Sequence, residues 1–131
     1  MSAAKVFMFA AGFLTVTAMM PAIAADGDVA AGEKVFRKCK ACHVLDEEKN
    51  KVGPHLVAII DRPVASVEGF KYSKAMKAKG EEGMVWTEET LTEYLKAPRK
   101  FIKGTKMAFA GLKKDEDITN LIAYVKEPPS Q

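Results

Sequence analysis

Two stretches of this chain, Val44–Phe70 and Pro98–Lys114, show neither the alternation of a strand nor the stripe of a helix. Both exceed the roughly 12–15 residues beyond which an irregular loop inside a compact domain needs something to order it. The segments around them read as short helices. The first opens at Asp28, an N-cap type of residue, and carries Gly32, Val35, Phe36 and Cys39 at helical spacing. A weaker one covers Ser73–Lys79. The third starts at the cap Thr87, places Glu88 and Glu89 where the helix dipole favours them, repeats Leu91, Tyr94 and Leu95 at i, i+3, i+4, and ends at Pro98. The fourth opens with Asp115, Glu116 and Asp117, carries Ile118, Leu121, Ile122 and Val125 as one stripe, and stops at Pro128-Pro129. The spacing predicts an all-α fold of three to five short helices and long loops. With 131 residues, 48% hydrophobic and 28% charged, the composition is that of one ordinary domain and not of a coiled coil, a disordered tail or a repeat array. Only two cysteines are present, so no disulfide framework can hold the loops. So much irregular backbone buries too little surface by itself, and a large apolar prosthetic group would supply the missing core.

Residues 1–24 read as a cleaved secretory signal peptide. Lys5 precedes an uncharged apolar run from Val6 to Met20, and Ala22-Ile23-Ala24 forms the small-residue cleavage site. That run is shorter than the roughly 20 residues a membrane-spanning helix needs. Cleavage there, give or take one residue, leaves 25–131 as the folded domain, without a membrane anchor. An exported domain of this size points to the bacterial periplasm. The formal net charge is +3, of which Lys5 contributes one.

The chemistry concentrates in Cys39-Lys40-Ala41-Cys42-His43. C-x-x-C-H is the attachment sequence for c-type haem. Two thiols three positions apart on a helical turn face the same way and can bond both vinyl groups of one porphyrin, while the following histidine offers its imidazole to the iron. A dithiol redox centre is the first alternative, but the pair sits at the end of a helix, where the dipole disfavours thiolate, and no βαβ pattern surrounds it. A zinc site would draw on Cys39, Cys42, His43 and His55, and would leave the rest of the pattern unexplained. An iron held by His43 has a second axial position. Beyond the leader the chain offers His55, Met76, Met84 and Met107 for it. Met76 and Met84 read as core filler. Met107 lies in the glycine-bounded loop Gly104-Thr105-Lys106-Met107-Ala108-Phe109-Ala110-Gly111, where a soft thioether is free to reach a metal.

Further motifs follow in order: Gly53-Pro54-His55-Leu56, Gly69-Phe70-Lys71-Tyr72-Ser73, Trp86-Thr87-Glu88-Glu89-Thr90-Leu91, Tyr94-Leu95, the Met107 loop, and Leu121-Ile122-Ala123-Tyr124. Together, over Asp28–Lys126, they resemble the class I c-type cytochromes, most of all the bacterial cytochrome c2 type that shares its plan with mitochondrial cytochrome c. The resemblance implies one covalently bound haem c on Cys39 and Cys42, with His43 and Met107 as axial ligands. It further implies that the Pro54 carbonyl accepts from the His43 ring, that Tyr72 and Trp86 hydrogen-bond a haem propionate with Arg62 as a nearby charge, and that Tyr94 lies near the Met107 sulfur, with Phe109 in the same pocket. Gly32 and Phe36 are expected to cross Leu121 and Tyr124. The sequence departs from the mitochondrial pattern in a longer Tyr72–Trp86 interval, in Met76 where asparagine is usual, and in Lys103 in place of a proline.

With both axial positions filled, the implied role is a soluble one-electron carrier and not an enzyme. It would shuttle from a cytochrome bc1-type complex to a photosynthetic reaction centre or a terminal oxidase. A peroxidase or gas sensor would need an open position on the iron. Lys38, Lys40, Lys49, Lys51, Arg99, Lys100, Lys103, Lys106, Lys113 and Lys114 flank the haem motif, the Gly53-Pro54 turn or the Met107 loop. The acids gather elsewhere, at Asp46–Glu48, Glu81–Glu82, Glu88–Glu89 and Asp115–Asp117. A basic ring of this kind steers a monomeric carrier toward acidic patches on its membrane partners. No base-reading motif points to nucleic acid.

Overall fold

The computed structural model of the chain describes residues 26–128. The signal-peptide reading of 1–24 and its boundary with 25–131 lie outside these residues. Five helices follow in order: α1 (Val29–Phe36), α2 (Lys74–Glu81), α3 (Glu88–Lys96), α4 (Pro98–Phe101) and α5 (Asp115–Lys126). α1 and α3 start where the caps predict, and α2 proves to have a side-chain cap of its own in Ser73. The side chains of Asp28, Ser73 and Thr87 accept from the backbone N–H groups of Ala31, Met76 and Thr90, each satisfying a donor the first turn leaves free. α5 has no side-chain cap, but its first turn holds Asp115, Glu116 and Asp117 against the positive end of the dipole.

The structure corrects the outline in two places. α1 ends at Phe36, so Cys39 is not on that helix; it lies in the run of turns that follows. The expected loop Pro98–Lys114 begins with a helical turn, α4. Proline suits the first position of a helix because its fixed φ is already helical and its missing N–H would have no partner there. The Ile102 amide closes this turn on the Pro98 carbonyl at 2.9 Å, and the Ile102 side chain is almost completely buried. Val44–Phe70 contains no helix. Among the described residues the only β pairing is one isolated antiparallel bridge, Pro63 to Val85.

The core rests on the crossing of α1 and α5. Gly32 lies against the Asn120 carbonyl and the Tyr124 Cβ, so close that a methyl group there would overlap both. The Phe36 and Tyr124 rings meet at 5.4 Å. Leu121, Ile122 and Val125 complete the buried face, and each is worth about 1.5–3 kcal/mol when removed from water. The Asn120 side chain, buried among them, accepts from the Asp28 amide at 2.7 Å and pins the start of α1 to α5.

Candidate functional site

After α1 the chain turns tightly. The Cys42 and His43 amides both donate to the Cys39 carbonyl, at 3.0 and 2.9 Å. One helical turn thereby carries both thiols and the imidazole, as the spacing requires. The His43 Nδ1 bonds the Pro54 carbonyl at 2.7 Å; with Nδ1 as the donor, Nε2 is left as the ring's free lone pair. Gly53 presses on the edge of this ring, and a Cβ there would run into it. The backbone thus cradles the imidazole and fixes its orientation. Burial, more than any neighbouring charge, holds the His43 pKa below the ordinary histidine value, with Arg62 and Lys51 acting in the same direction. This favours the neutral imidazole that a metal requires.

The setting of Cys39 is unlike that of the attacking thiol of a redox pair. Cys39 and Cys42 are not joined to each other, and burial pushes the Cys39 thiol up to about 11. A dithiol oxidoreductase needs the opposite shift.

Cys39, Cys42, His43 and Pro54 form one part of the wall of a cavity of about 510 Å³, a volume in the range of small-molecule and cofactor sites. Arg62, Tyr72 and Trp86 come to the same cavity from the loop after Pro54 and from the approach to α3, Tyr94 from α3, and Met107 and Phe109 from the loop between α4 and α5. All ten residues expected around the cofactor line this one space. Arg62 is half-buried and donates to the carbonyls of Val57 at 2.9 Å and His55 at 3.0 Å. The Tyr72 hydroxyl accepts from the Val67 amide at 3.1 Å. Trp86 and Tyr94 stack obliquely at 4.9 Å.

The Met107 side is held by side chains distant in sequence. The hydroxyls of Tyr94 and Thr105 share a hydrogen bond of 2.8 Å, and the Met107 amide reaches the Thr105 hydroxyl at 3.4 Å. Lys106 Nζ donates to the Lys71 carbonyl at 3.2 Å, tying this loop to the turn before α2. The residues present fit the group that the attachment motif implies: two thiols, one oriented imidazole and one thioether on the wall of a single cavity, with a guanidinium and two polar aromatics beside them.

The cationic side chains are distributed less tightly. All eight proposed docking residues, Lys38, Lys40, Lys51, Arg99, Lys100, Lys106, Lys113 and Lys114, are exposed. Only Lys38 and Lys106 among them line the cavity. Lys51 is near the motif, its Nζ donating to the Lys40 carbonyl at 2.8 Å. Lys71 also lines the cavity and was not singled out from sequence, although its place beside Tyr72 could have suggested it. Met76 packs on the core as expected of filler and also lines the cavity. Thr105 was missed as the partner of Tyr94, because a hydroxyl in a loop carries no periodic signal. Val52, with 80% of its surface exposed, sits at the cavity rim.

Comparison with known proteins agrees with this geometry. The family model for cytochrome c matches residues 29–128. Cytochrome c2 of Afifella marina is 54% identical over 99 residues, covering 75% of this chain and 80% of the relative. Cytochrome c2 of Agrobacterium tumefaciens is 52% identical over 101 residues, covering 76% and 91%. Cytochrome c-550 of Nitrobacter winogradskyi is 51% identical over 102 residues, covering 77% and 91%. Among solved structures, cytochrome cH from Methylobacterium extorquens superimposes with a TM-score of 0.70 at 40% identity, covering 76% of this chain and 98% of that one. With two cysteines that fit the attachment motif for covalently bound haem c, the chain belongs to the cytochrome c family, close to its bacterial cytochrome c2 members, and is an electron-transfer protein, not an enzyme.

Proposed function

We propose that the protein is a periplasmic one-electron carrier, exported by its residues 1–24 and monomeric, that takes electrons from a cytochrome bc1-type complex and delivers them to a photosynthetic reaction centre or a terminal oxidase. One observation carries this reading: a single cavity receives both cysteines, His43 and, from far along the chain, the thioether of Met107. Bound haem c supplies the Fe(III)/Fe(II) couple. The chain decides what that couple can do. His43 and Met107 would be the residues that hold its iron, and with both engaged the site would be limited to outer-sphere transfer, with no place for oxygen or peroxide. Methionine ligation favours the reduced metal relative to a second histidine. Aliphatic and aromatic side chains such as Leu56, Ile59, Leu91, Leu95 and Leu121 exclude water from the cavity and oppose the extra positive charge of the oxidised state.

Tyr72 and Trp86 offer an O–H and an N–H to a propionate, with Arg62 as compensating charge, and the Pro54 carbonyl holds the His43 tautomer. Exposed Lys38, Lys40, Lys51, Arg99, Lys100, Lys106, Lys113 and Lys114 steer encounters with acidic surfaces. Transfer to such a partner falls steeply as salt rises, because exposed charges are screened over about 8 Å at physiological ionic strength.

Met107→Ala tests the reading. The variant keeps covalent haem and loses the weak near-infrared sulfur–iron band of the oxidised protein, and its midpoint potential drops. An unchanged band would remove Met107 from the iron.

A further inference from the structure

Three departures from the mitochondrial pattern, the longer Tyr72–Trp86 interval, Met76 and Lys103, are scattered in sequence and meet in space. α2 lies within the longer interval and carries Met76. Lys103 precedes Gly104, where a Cβ would come within 3.2 Å of the Ala75 methyl on α2. The start of the Met107 loop therefore lies against this helix. Lys106 joins it from further along, through its bond to the Lys71 carbonyl. No residue of α2 is buried, yet Ala75 and Met76 pack on the same core as Met107, and Met76 shares the cavity wall with it. The far end of α2 is braced as well. Gly80 sits so close to the Val64 carbonyl that a Cβ would overlap it, and the Met84 amide bonds the Lys79 carbonyl at 3.0 Å.

The loop opens with a tight turn. The Thr105 amide bonds the Ile102 carbonyl at 3.1 Å, and Gly104, at the third position, has a φ of 94°. This is the pattern of a type II turn, in which proline is common at the second position. Lys103 holds that position, so the chain here keeps a freedom that proline would remove. Some other contact has to limit the loop, and the body that faces it is α2.

We propose that Ala75 and Met76 are positioning residues for Met107: through them α2 holds the loop closed over the cavity, in place of the stiffness that a proline at 103 would give. The inference rests on the proposed ligation by Met107. The Ala75 methyl limits how far Gly104 can swing. The Met76 side chain keeps this part of the wall apolar. An amide in its place, such as the usual asparagine brings, has to find partners or hold water beside the loop.

The test adds imidazole to the oxidised holoprotein at pH 7, where it competes with Met107 for the iron, and reads the loss of the near-infrared sulfur–iron band. Met76→Gln, which keeps the length of the side chain, raises the apparent imidazole affinity about tenfold, as one poorly paired buried amide would. Met76→Leu conserves apolar volume and stays close to the wild type. Ala75→Leu raises the affinity by wedging α2 away from Gly104, and it serves as the second variant should Met76→Gln fold poorly. Lys103→Pro lowers the affinity about two- to fivefold, by restricting the detached loop, and does the same in the Met76→Gln background. An affinity unchanged in both Met76→Gln and Ala75→Leu, an equal rise in Met76→Leu, or no effect of Lys103→Pro would each overturn the proposal. Failure of the ligation reading is a separate result, because the wild type then shows no sulfur–iron band before imidazole is added.

Discussion

His43 is held by atoms close to it in sequence, whereas Met107 is held by atoms far from it. On the histidine side the turn from Cys39 to His43, the Pro54 carbonyl and the Gly53 backbone form one short unit. On the methionine side the support comes from Tyr94 on α3, through Thr105, and from Lys71 before α2, through Lys106. Closing the loop between His43 and Met107 costs about 4 kcal/mol of chain entropy. The histidine side is therefore a local device, formed whenever its own segment is in place. The methionine side is a tertiary one, and the thioether is the ligand expected to be lost first, with Lys106 or Lys103 near enough in sequence to replace it at high pH.

The comparison breaks most visibly at Gly53. Gly53→Val drives a side chain into the His43 ring; an overpacked position costs about 1–3 kcal/mol, and denaturant unfolding of the holoprotein should show a loss at the upper end. A stability within error of the wild type would mean that the cradle is not rigid.

Acid acts on the same side. Because burial depresses the folded-state pKa of His43, below about pH 6.5 the unfolded chain binds a proton that the folded chain refuses. Stability therefore falls as pH drops through that window, and an iron bond to the neutral ring adds to the same sign. Unfolding midpoints between pH 7.5 and 5 check this.

Smaller effects sharpen the other side. Thr105→Val removes the partner of the Tyr94 hydroxyl and costs about 1 kcal/mol. Its clearest readout is a near-infrared band that disappears at lower pH than in the wild type, with the His43 side unaffected. Lys106→Ala removes only an exposed bond to the Lys71 carbonyl and costs a few tenths of a kcal/mol, at most about 0.5; a larger loss would make that bond a main support of the loop.

Between the two sides lies a segment whose conformation is costly. Ala58, Asp61 and Ala65 all adopt positive φ, at 49°, 62° and 58°, a region that penalises any Cβ. They flank Arg62, and the backbone there is held by the Asp61 amide on the Trp86 carbonyl and the Trp86 amide on the Arg62 carbonyl, both at 2.9 Å. Ala65→Gly relieves the local strain at some cost in unfolded-state entropy. The expected gain is about 0.5–1 kcal/mol, a relieved strain of roughly 1–2 kcal/mol less an entropy cost of roughly 0.5–1 kcal/mol.

What could be read from the sequence was whatever depends on near neighbours. The C-x-x-C-H turn, the caps at Asp28 and Thr87, and the buried stripe of α5 each involve contacts within about one or two helical turns, where residue type and spacing carry the physics. Even the Met107 loop stood out, through its glycines and its lack of period. The tertiary structure decided what depends on two distant segments meeting. In the local pattern Gly32 is only a small residue; its crossing with Tyr124 was implied by the family resemblance, and its close approach to the Asn120 carbonyl came from the structure. Asn120 reads as a polar flaw in a stripe until the Asp28 amide reaches it. His55 reads as a spare candidate ligand until it is found on the wall of a second cavity that shares Arg62 with the first. Such meetings are absent from any local pattern, because burial and hydrogen-bond satisfaction are properties of the assembled core and not of a segment.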